Sequence, residues 1–404
     1  MNETIVIVSA VRTAFGKFCG TLRETPTYVL GAFVIEKALE RAGIEKNRVD
    51  EVFMGCAIHA ENEDFISPCM VRQALLKAGL PPETKSATID KACCSSMTAI
   101  HMGYNAIKWG ESEIVVVVGA ENFSRVPFVV HPGVRLGQGP RLGHIQMRDP
   151  LIRMGYKDFN PVAVDAGEGA VAHQVDRKDQ DAWAFMSQQR YQKAKKADKF
   201  SDEIVPITVQ LGKEEVVFEE DEFPKPYTTP EKLAKLQTVY GSPTITAGNA
   251  PGLNDGAACM VLMSLKKAME MNIVPLARIL ETASACDLPN NITVVPAAVI
   301  TRIMKKAGLG FGDIDLLEIN EAFAAMPVTC AKILADGNAT LEKEIREKLN
   351  VNGGAIAIGH PLGASGIRIT LTMMYELRRR NGGKGISAIC GGLAQGEGVL
   401  LEAM

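Results

Sequence analysis

The chain of 404 residues carries 44 basic and 47 acidic side chains, so its formal charge of −3 offers no broad basic surface for nucleic acid or an anionic membrane. Apolar residues make up 47% and charged residues 23%, the balance of a globular protein and not of a disordered one. The length suits about two to three domain-sized units around a large core, and nine cysteines, an odd number with no CxxC or Cys/His cluster at zinc spacing, exclude a disulfide scaffold and argue against a structural metal. Near the start, Glu3 and a short apolar run do not read as a signal peptide, and no stretch reaches the ~20 apolar residues of a membrane span. Most of the cysteines read as small buried hydrophobes, which fits a reducing cytoplasm.

In chain order, Thr4 to Val8 reads as a strand and Tyr28 to Ala42 as a helix that ends at Gly43. Val49 to Met54 reads as a second strand, and a helix from about Pro68 to Leu80 stops before Pro81 and Pro82. Ile114 to Val118 is apolar throughout without alternation, the pattern of a strand buried on both faces between helices. From 121 to 245 the texture changes to loop residues and charge, with one strong helix over Arg177 to Ala197, and this segment reads as an insertion that shapes a site or an interface. Arg41-Ala42-Gly43-Ile44 followed by Val49-Asp50-Glu51-Val52 recurs as Lys306-Ala307-Gly308-Leu309 followed by Ile314-Asp315-Leu316-Leu317, at a constant offset of 265 residues. The strand ending at Gly119 resembles the one ending at Gly391, 272 residues on. Ordered matches at nearly one offset indicate two duplicated α/β halves. The expected division is 1–120 for the first part of the N-terminal half, 121–245 for the inserted loop domain, 246–275 for the rest of that half and 276–404 for the C-terminal half.

Four windows carry residues fit for chemistry. In Ile89 to Ala99, Cys93 stands where small residues lead into a helix. A thiol there would feel the helix dipole and free N–H groups, which favour thiolate and lower its pKa; the same window also reads as two small core residues in a tight turn. Around His360, glycines at 353, 354, 359, 363 and 366 let a ligand approach the backbone, which suits a base reaching into a cleft. Cys390 sits beside Gly391 and Gly392, whose N–H groups could converge as an oxyanion hole, or the stretch is only a glycine-rich turn. Asn320 could hold a water or an oxyanion and Glu321 could orient partners, or the pair simply opens a helix. Together a nucleophilic thiol, a base, a second thiol and amide donors make up the inventory for acyl transfer through a thioester.

These windows, with "SAVRTAFGKFCGTL" from Ser9, "IDKACCSSMTAI" from Ile89, "TAGNAPGLNDGAA" from Thr246, "INEAFAA" from Ile319, "NGGAIAIGHPLGASG" from Asn352 and "CGGLAQG" from Cys390, resemble the thiolases along essentially the whole chain. The resemblance implies an α/β fold of five layers, αβαβα, built from two βαβαβαββ halves with a loop domain inserted in the first. It implies an acyltransferase that cleaves a 3-oxoacyl-CoA reversibly, with coenzyme A as co-substrate and no bound cofactor or metal. Carried onto this sequence, Cys93 becomes acylated and His360 activates it. His360 and a water on Asn320 form one oxyanion hole, the N–H groups of Cys93 and Gly392 form the other, and Cys390 moves the α-proton. Lys225, Lys232, Ala250 and Pro251 fall where the family contacts CoA. A homodimer or dimer of dimers is implied, with the Val134 to Arg153 stretch at a tetramer contact, and an accessory subunit is a further option.

The sequence departs from the family pattern near the acyl and pantetheine pockets. The usual CGSG is Cys93-Cys94-Ser95-Ser96, the usual Asn before it is Asp90, the usual GGG is Gly392-Leu393-Ala394, Pro251 replaces a serine, and the His-Met pair of short-chain members is absent from Ala163 to Gly169. These changes point to an unusual acyl chain: branched, aromatic or carboxylated. A biosynthetic acetoacetyl-CoA enzyme and a ketosynthase-like condensing enzyme are the alternatives.

Overall fold

The computed structural model describes residues 3–59, 68–140, 142–152, 156 and 158–404, so Arg141 and Arg153 of the expected tetramer stretch lie outside the described residues. In the first half the main elements are β1 (Ile5–Arg12), α1 (Thr27–Ala42), β2 (Glu51–Gly55), α2 (Met70–Lys77), β3 (Lys85–Ile89), α3 (Ser95–Lys108) and β4 (Ile114–Asn122). The inserted segment contributes α4 (Val162–Ala172) and α5 (Arg177–Lys196), after which β5 (Asn254–Ser264) completes the first half. The second half has β6 (Ala277–Cys286), α6 (Val295–Ala307), β7 (Leu316–Ile319), α7 (Ala325–Ala335), α8 (Leu362–Arg379), β8 (Gly383–Gly391) and β9 (Gln395–Ala403).

The strands form one sheet in the order β7-β8-β9-β6-β1-β5-β4-β2-β3. The order is nearly palindromic about the β6–β1 seam, where Ile5 pairs Ile279 and Ile7 pairs Ala277. On each side an antiparallel pair leads to parallel strands, and the place of β3 is taken in the second half by a single parallel bridge, Leu317 to Leu349. The repeat at offset 265 has a direct physical meaning. Gly43 and Gly308 both close a helix in the left-handed region, φ 65° and 67°, where a side chain would be strained. Asp50 and Asp315 then each accept the N–H at or beside the start of the next strand, Ile114 at 2.9 Å and Lys384 at 2.8 Å.

Side chains along β4 alternate between two cores, and this creates the layers. Val116 and Val118 face α1 and α2, packing with Leu30, Val34 and Leu75. Val115 and Val117 face the opposite way, onto Met97 and Ile100 of α3 and Ile367 and Leu371 of α8. Helices α3 and α8 touch strands of both halves and form the middle layer, while α6 and α7 cover the far face of the second half. The result is αβαβα, with every β4 residue buried as its unbroken apolar run predicts.

Two differences from the sequence reading have clear causes. Strand β1 runs past Val8 to Arg12, whose guanidinium is fully enclosed and bonds Glu203 at 2.7 Å and Asp221 at 2.7 and 3.0 Å. A buried charge is tolerated when it is paired in this way. The insertion also carries a second helix, α4, over the alanine- and glycine-rich stretch that reads as loop; Ala163, Ala166 and Ala170 pack into the core of the second half, which supplies the burial that their composition lacks alone.

Candidate active site

The loops after β3, β7 and β8 and the segment before α8 converge on one cavity of about 390 Å³. Cys93, His360, Cys390, Gly392, Lys225, Ala250 and Pro251 all line it, together with Phe123, Leu151, Tyr156, Val162 and Leu362. Asn320 lies just behind, fully buried, with its Nδ2 3.4 Å from His360 Nε2. Lys232 is not part of the lining; it is exposed and its Nζ donates to the Tyr227 carbonyl at 2.8 Å.

The turn that presents Cys93 is held by short-range polar bonds. Asp90 Oδ1 accepts the Ala92 N–H at 3.0 Å, so the acid supplies the same carbonyl-type acceptor as the usual asparagine. Ser95 Oγ accepts from Lys91 N at 2.9 Å and donates to Ala92 O at 2.6 Å. Ala92 is forced to φ 49°, a conformation that costs a non-glycine residue about 1–2 kcal/mol. The helix itself begins at Ser95 with Cys94 at its cap, so Cys93 stands just ahead of it.

His360 is oriented from three sides. Its backbone N–H donates to Asn254 Oδ1 at 3.0 Å, and Gly359 before it takes φ 114° in a position where a Cβ would strike that same Asn254 side chain. Ser365 donates its one hydroxyl proton to Pro361 O at 2.9 Å, so it accepts from His360 Nδ1–H at 2.6 Å. That bond fixes the tautomer and leaves the Nε2 lone pair directed at Cys93 Sγ, 3.3 Å away. Glu321 braces the approach to the histidine: it accepts from Trp183 Nε1 and Ser187 Oγ at 2.8 Å, Asn350 Nδ2 at 3.0 Å and Ile356 N at 3.1 Å.

The electrostatics correct one expectation. Burial pushes the Cys93 thiol well above its usual range, with the neighbouring Cys390 the next contribution. The cavity leaves part of Cys93 accessible, yet the surrounding protein removes the solvation that a thiolate needs, and this outweighs the helix dipole expected to lower its pKa. Burial, aided by Arg368, also holds His360 down to about 3. The resting pair is therefore thiol and neutral imidazole. Cys390, fully enclosed at the end of β8, is pushed up to about 12, chiefly by burial.

The sequence reading missed Ser365 and Asn254, which orient His360, and Tyr156, whose hydroxyl abuts Gly392 so closely that a Cβ there would clash. Ser365 and Asn254 lie inside quoted motifs, so their small polar side chains between glycines were a usable signal; Tyr156 had none. The altered hairpin after Cys390 keeps the glycine geometry without the glycines: Leu393 takes φ 60° and Ala394 φ 53°.

Residues 5–266 match the family "Thiolase, N-terminal domain" and residues 273–403 match "Thiolase, C-terminal domain". An acetyl-CoA acetyltransferase of Syntrophomonas wolfei is 37% identical over 408 residues, covering all of both chains. A beta-ketoadipyl-CoA thiolase of Pseudomonas aeruginosa is 37% identical over 409 residues, again covering all of both. The crystal structure of human mitochondrial 3-ketoacyl-CoA thiolase in complex with CoA superposes with a TM-score of 0.91 at 35% identity, over 100% of this chain and 98% of that one. The chain belongs to the thiolase family and is an acyltransferase enzyme.

Proposed function

We propose that the chain catalyses reversible, CoA-dependent thiolytic cleavage of a 3-oxoacyl-CoA through an acyl-enzyme on Cys93. The observation that carries this reading is the 3.3 Å approach of Cys93 Sγ to a tautomer-fixed His360 Nε2, with Cys390 opening on the same cavity. In the degradative direction Cys93 attacks the 3-oxo carbon while its proton passes to His360 Nε2. The oxyanion is met by the N–H groups of Cys93 and Gly392. The C2–C3 bond then breaks, the acyl chain stays on Cys93, and the acetyl-CoA enolate, held by His360 and a water on Asn320, takes a proton from Cys390. Free CoA gives its thiol proton to the Cys390 thiolate and displaces the acyl group; Cys93 leaves as a thiolate and takes back the proton held on His360 Nε2, which restores both thiols and the neutral imidazole. A pair that is neutral at rest suits a dry site, since no ion pair must be kept desolvated before substrate arrives. A thiol with a pKa of about 12 becomes a strong base once ionised, and so suits a weakly acidic C–H.

Coenzyme A is the co-substrate. Ala250 and Pro251, which line the cavity, would meet its pantetheine end; Lys225, stacked 4.7 Å from the Phe223 ring, and Lys232, away from the lining, would meet its adenosine end. The acyl chain is read as branched, aromatic or carboxylated, and the walls of Phe123, Leu151, Val162 and Leu362 favour the first two. A second reading, a biosynthetic acetoacetyl-CoA enzyme, is favoured by relatives named acetyl-CoA acetyltransferase. A panel of 3-oxoacyl-CoA thioesters decides between them: the proposal expects a substituted chain to be cleaved fastest, and acetoacetyl-CoA far ahead of all others would select the second. Decarboxylation of a malonyl thioester in place of thiolysis would select the ketosynthase-like alternative.

We read the working form as a homodimer or dimer of dimers in a reducing cytoplasm, with an accessory subunit as a further option. In support, β3 pairs with β2 alone at the sheet edge, and Phe128, Leu142, Ile145 and Met147 are exposed on one short segment. All nine cysteines are free, and no helix among the described residues is long and apolar enough to cross a membrane.

A further inference from the structure

Glu121 is a buried carboxylate that the steps above do not use. It ends the apolar run of β4 and is 1% exposed. Its Oε2 accepts the N–H of Ala57 and of Gly363, each at 3.0 Å, and its Oε1 accepts the Ile58 N–H at 3.0 Å and faces the Cys56 thiol at 3.7 Å. Gly363 is the second residue of α8, three residues beyond His360 and two before Ser365. Ala57 and Ile58 pack behind the cavity wall with Cys93, Phe123, Leu151 and Leu362. The backbones meet here without room for solvent: a Cβ on Gly119 would strike Gly363 O, and one on Gly363 would strike Ala120 O. One carboxylate thus joins the end of β4, the 57–58 segment and the start of α8.

We propose that Glu121 is a positioning residue for the acylation step, holding the start of α8, and through it His360, against the 57–58 segment behind the acyl cavity. The role rests on the thiolytic reading above. Two carboxylates then brace the histidine loop from opposite ends, Glu321 through Ile356 before it and Glu121 through Gly363 after it.

The bracket is also sensitive to pH. Burial pushes the Glu121 carboxyl up to about 7, with the three N–H donors and Cys56 pulling the other way. The titratable groups that face it are Cys56 and, through its charge, Cys93. Gly256 lies opposite on β5, its neighbour Asp255 turns to Ser124, and on the other side the pairing with β2 ends at Gly55, opposite Gly119. Protonation places an O–H among N–H donors and weakens the bracket, so acylation declines as pH falls. Folding stability from this group moves the opposite way. Its folded pKa is raised from 4.5, so its contribution is full below 4.5 and is lost as pH rises through about 7. A merely structural role would therefore not produce the acid decline.

The test is rapid-quench acetylation of Cys93 by acetyl-CoA, followed by mass spectrometry across pH. The wild-type rate is expected to fall on the acid side with a midpoint near 7. Glu121→Ala is expected to lower the rate about 100-fold with half-saturation by acetyl-CoA unchanged. Glu121→Gln, which keeps one acceptor oxygen, should recover to within about tenfold of wild type and lose the acid step. Acetylation by Glu121→Ala at the wild-type rate overturns the role. If that variant does not fold, a wild-type rate that is flat between about pH 5.5 and 8.5 overturns it equally. Absence of Cys93 acetylation in the wild type would overturn the thiolytic reading and this role with it, whereas normal acetylation insensitive to Glu121 overturns the role alone.

Discussion

Cys93 and Cys390 face one cavity from turns of different construction. Cys93 stands on a strained turn tied by Asp90 and Ser95, ahead of the first turn of α3, and meets the Nε2 of a histidine whose other nitrogen is occupied. Cys390 is part of a strand, paired to Gly396 across a hairpin whose tip, Leu393 and Ala394, is held at positive φ. Burial raises both thiols, yet only Cys93 has an imidazole in line to take its proton. The difference teaches how one residue type could fill the two roles proposed for it. A thiol with a base at hydrogen-bond distance is a nucleophile on demand, while an enclosed thiol at a strand end is a weak acid whose conjugate base can move a C–H proton.

Breaking each side of that comparison separates the roles. The largest effect is expected from Cys93→Ala, which should abolish the acyl-enzyme and lower thiolysis by ~10⁴-fold or more, read by a CoA-release assay. Cys390→Ala should keep acylation from a simple acyl-CoA and lose condensation by ~10³-fold; condensation at the normal rate would remove the acid–base role of Cys390. Ser365→Ala frees His360 Nδ1 and should slow acylation by ~10–100-fold with little change in substrate half-saturation. Iodoacetamide labelling of Cys93 should climb steadily as pH rises toward 9 and beyond, because its thiol sits above that value; a plateau below neutrality would mark a depressed thiol instead. The smallest effect is at the hairpin: Leu393→Gly relieves a left-handed backbone and should stabilise the fold by about 1 kcal/mol in urea titration.

Much of the site was legible because its chemistry is carried in contiguous stretches. Cys93, His360, Cys390, Asn320 and Gly392 each stand in a short run of small residues at a strand or helix end, and the fold brings all five to one cavity or directly behind it. The fold itself was legible in the repeat, since the same Gly cap and the same Asp bond recur in both halves. What escaped was set by contacts distant in sequence. The expected first strand stops at Val8, and it extends to Arg12, on which Glu203 and Asp221 close. Glu121 falls at the first residue of the stretch that reads as an insertion, and its place in β4 and its partners at Ala57 and Gly363 are fixed only by topology. The direction of the Cys93 pKa was misjudged for the same reason. A helix dipole is visible locally, whereas the desolvation that outweighs it belongs to the packed interior.

The central claim is that one thiol carries the acyl group and the other moves the proton. Peptide mapping by mass spectrometry, after a brief exposure to acetyl-CoA and an acid quench, tests it most directly. The division of labour predicts a single acetyl group on Cys93 in the wild type and in Cys390→Ala, and none in Cys93→Ala. An acetyl group on Cys390 or Cys94, or an acylated enzyme that survives Cys93→Ala, would contradict it.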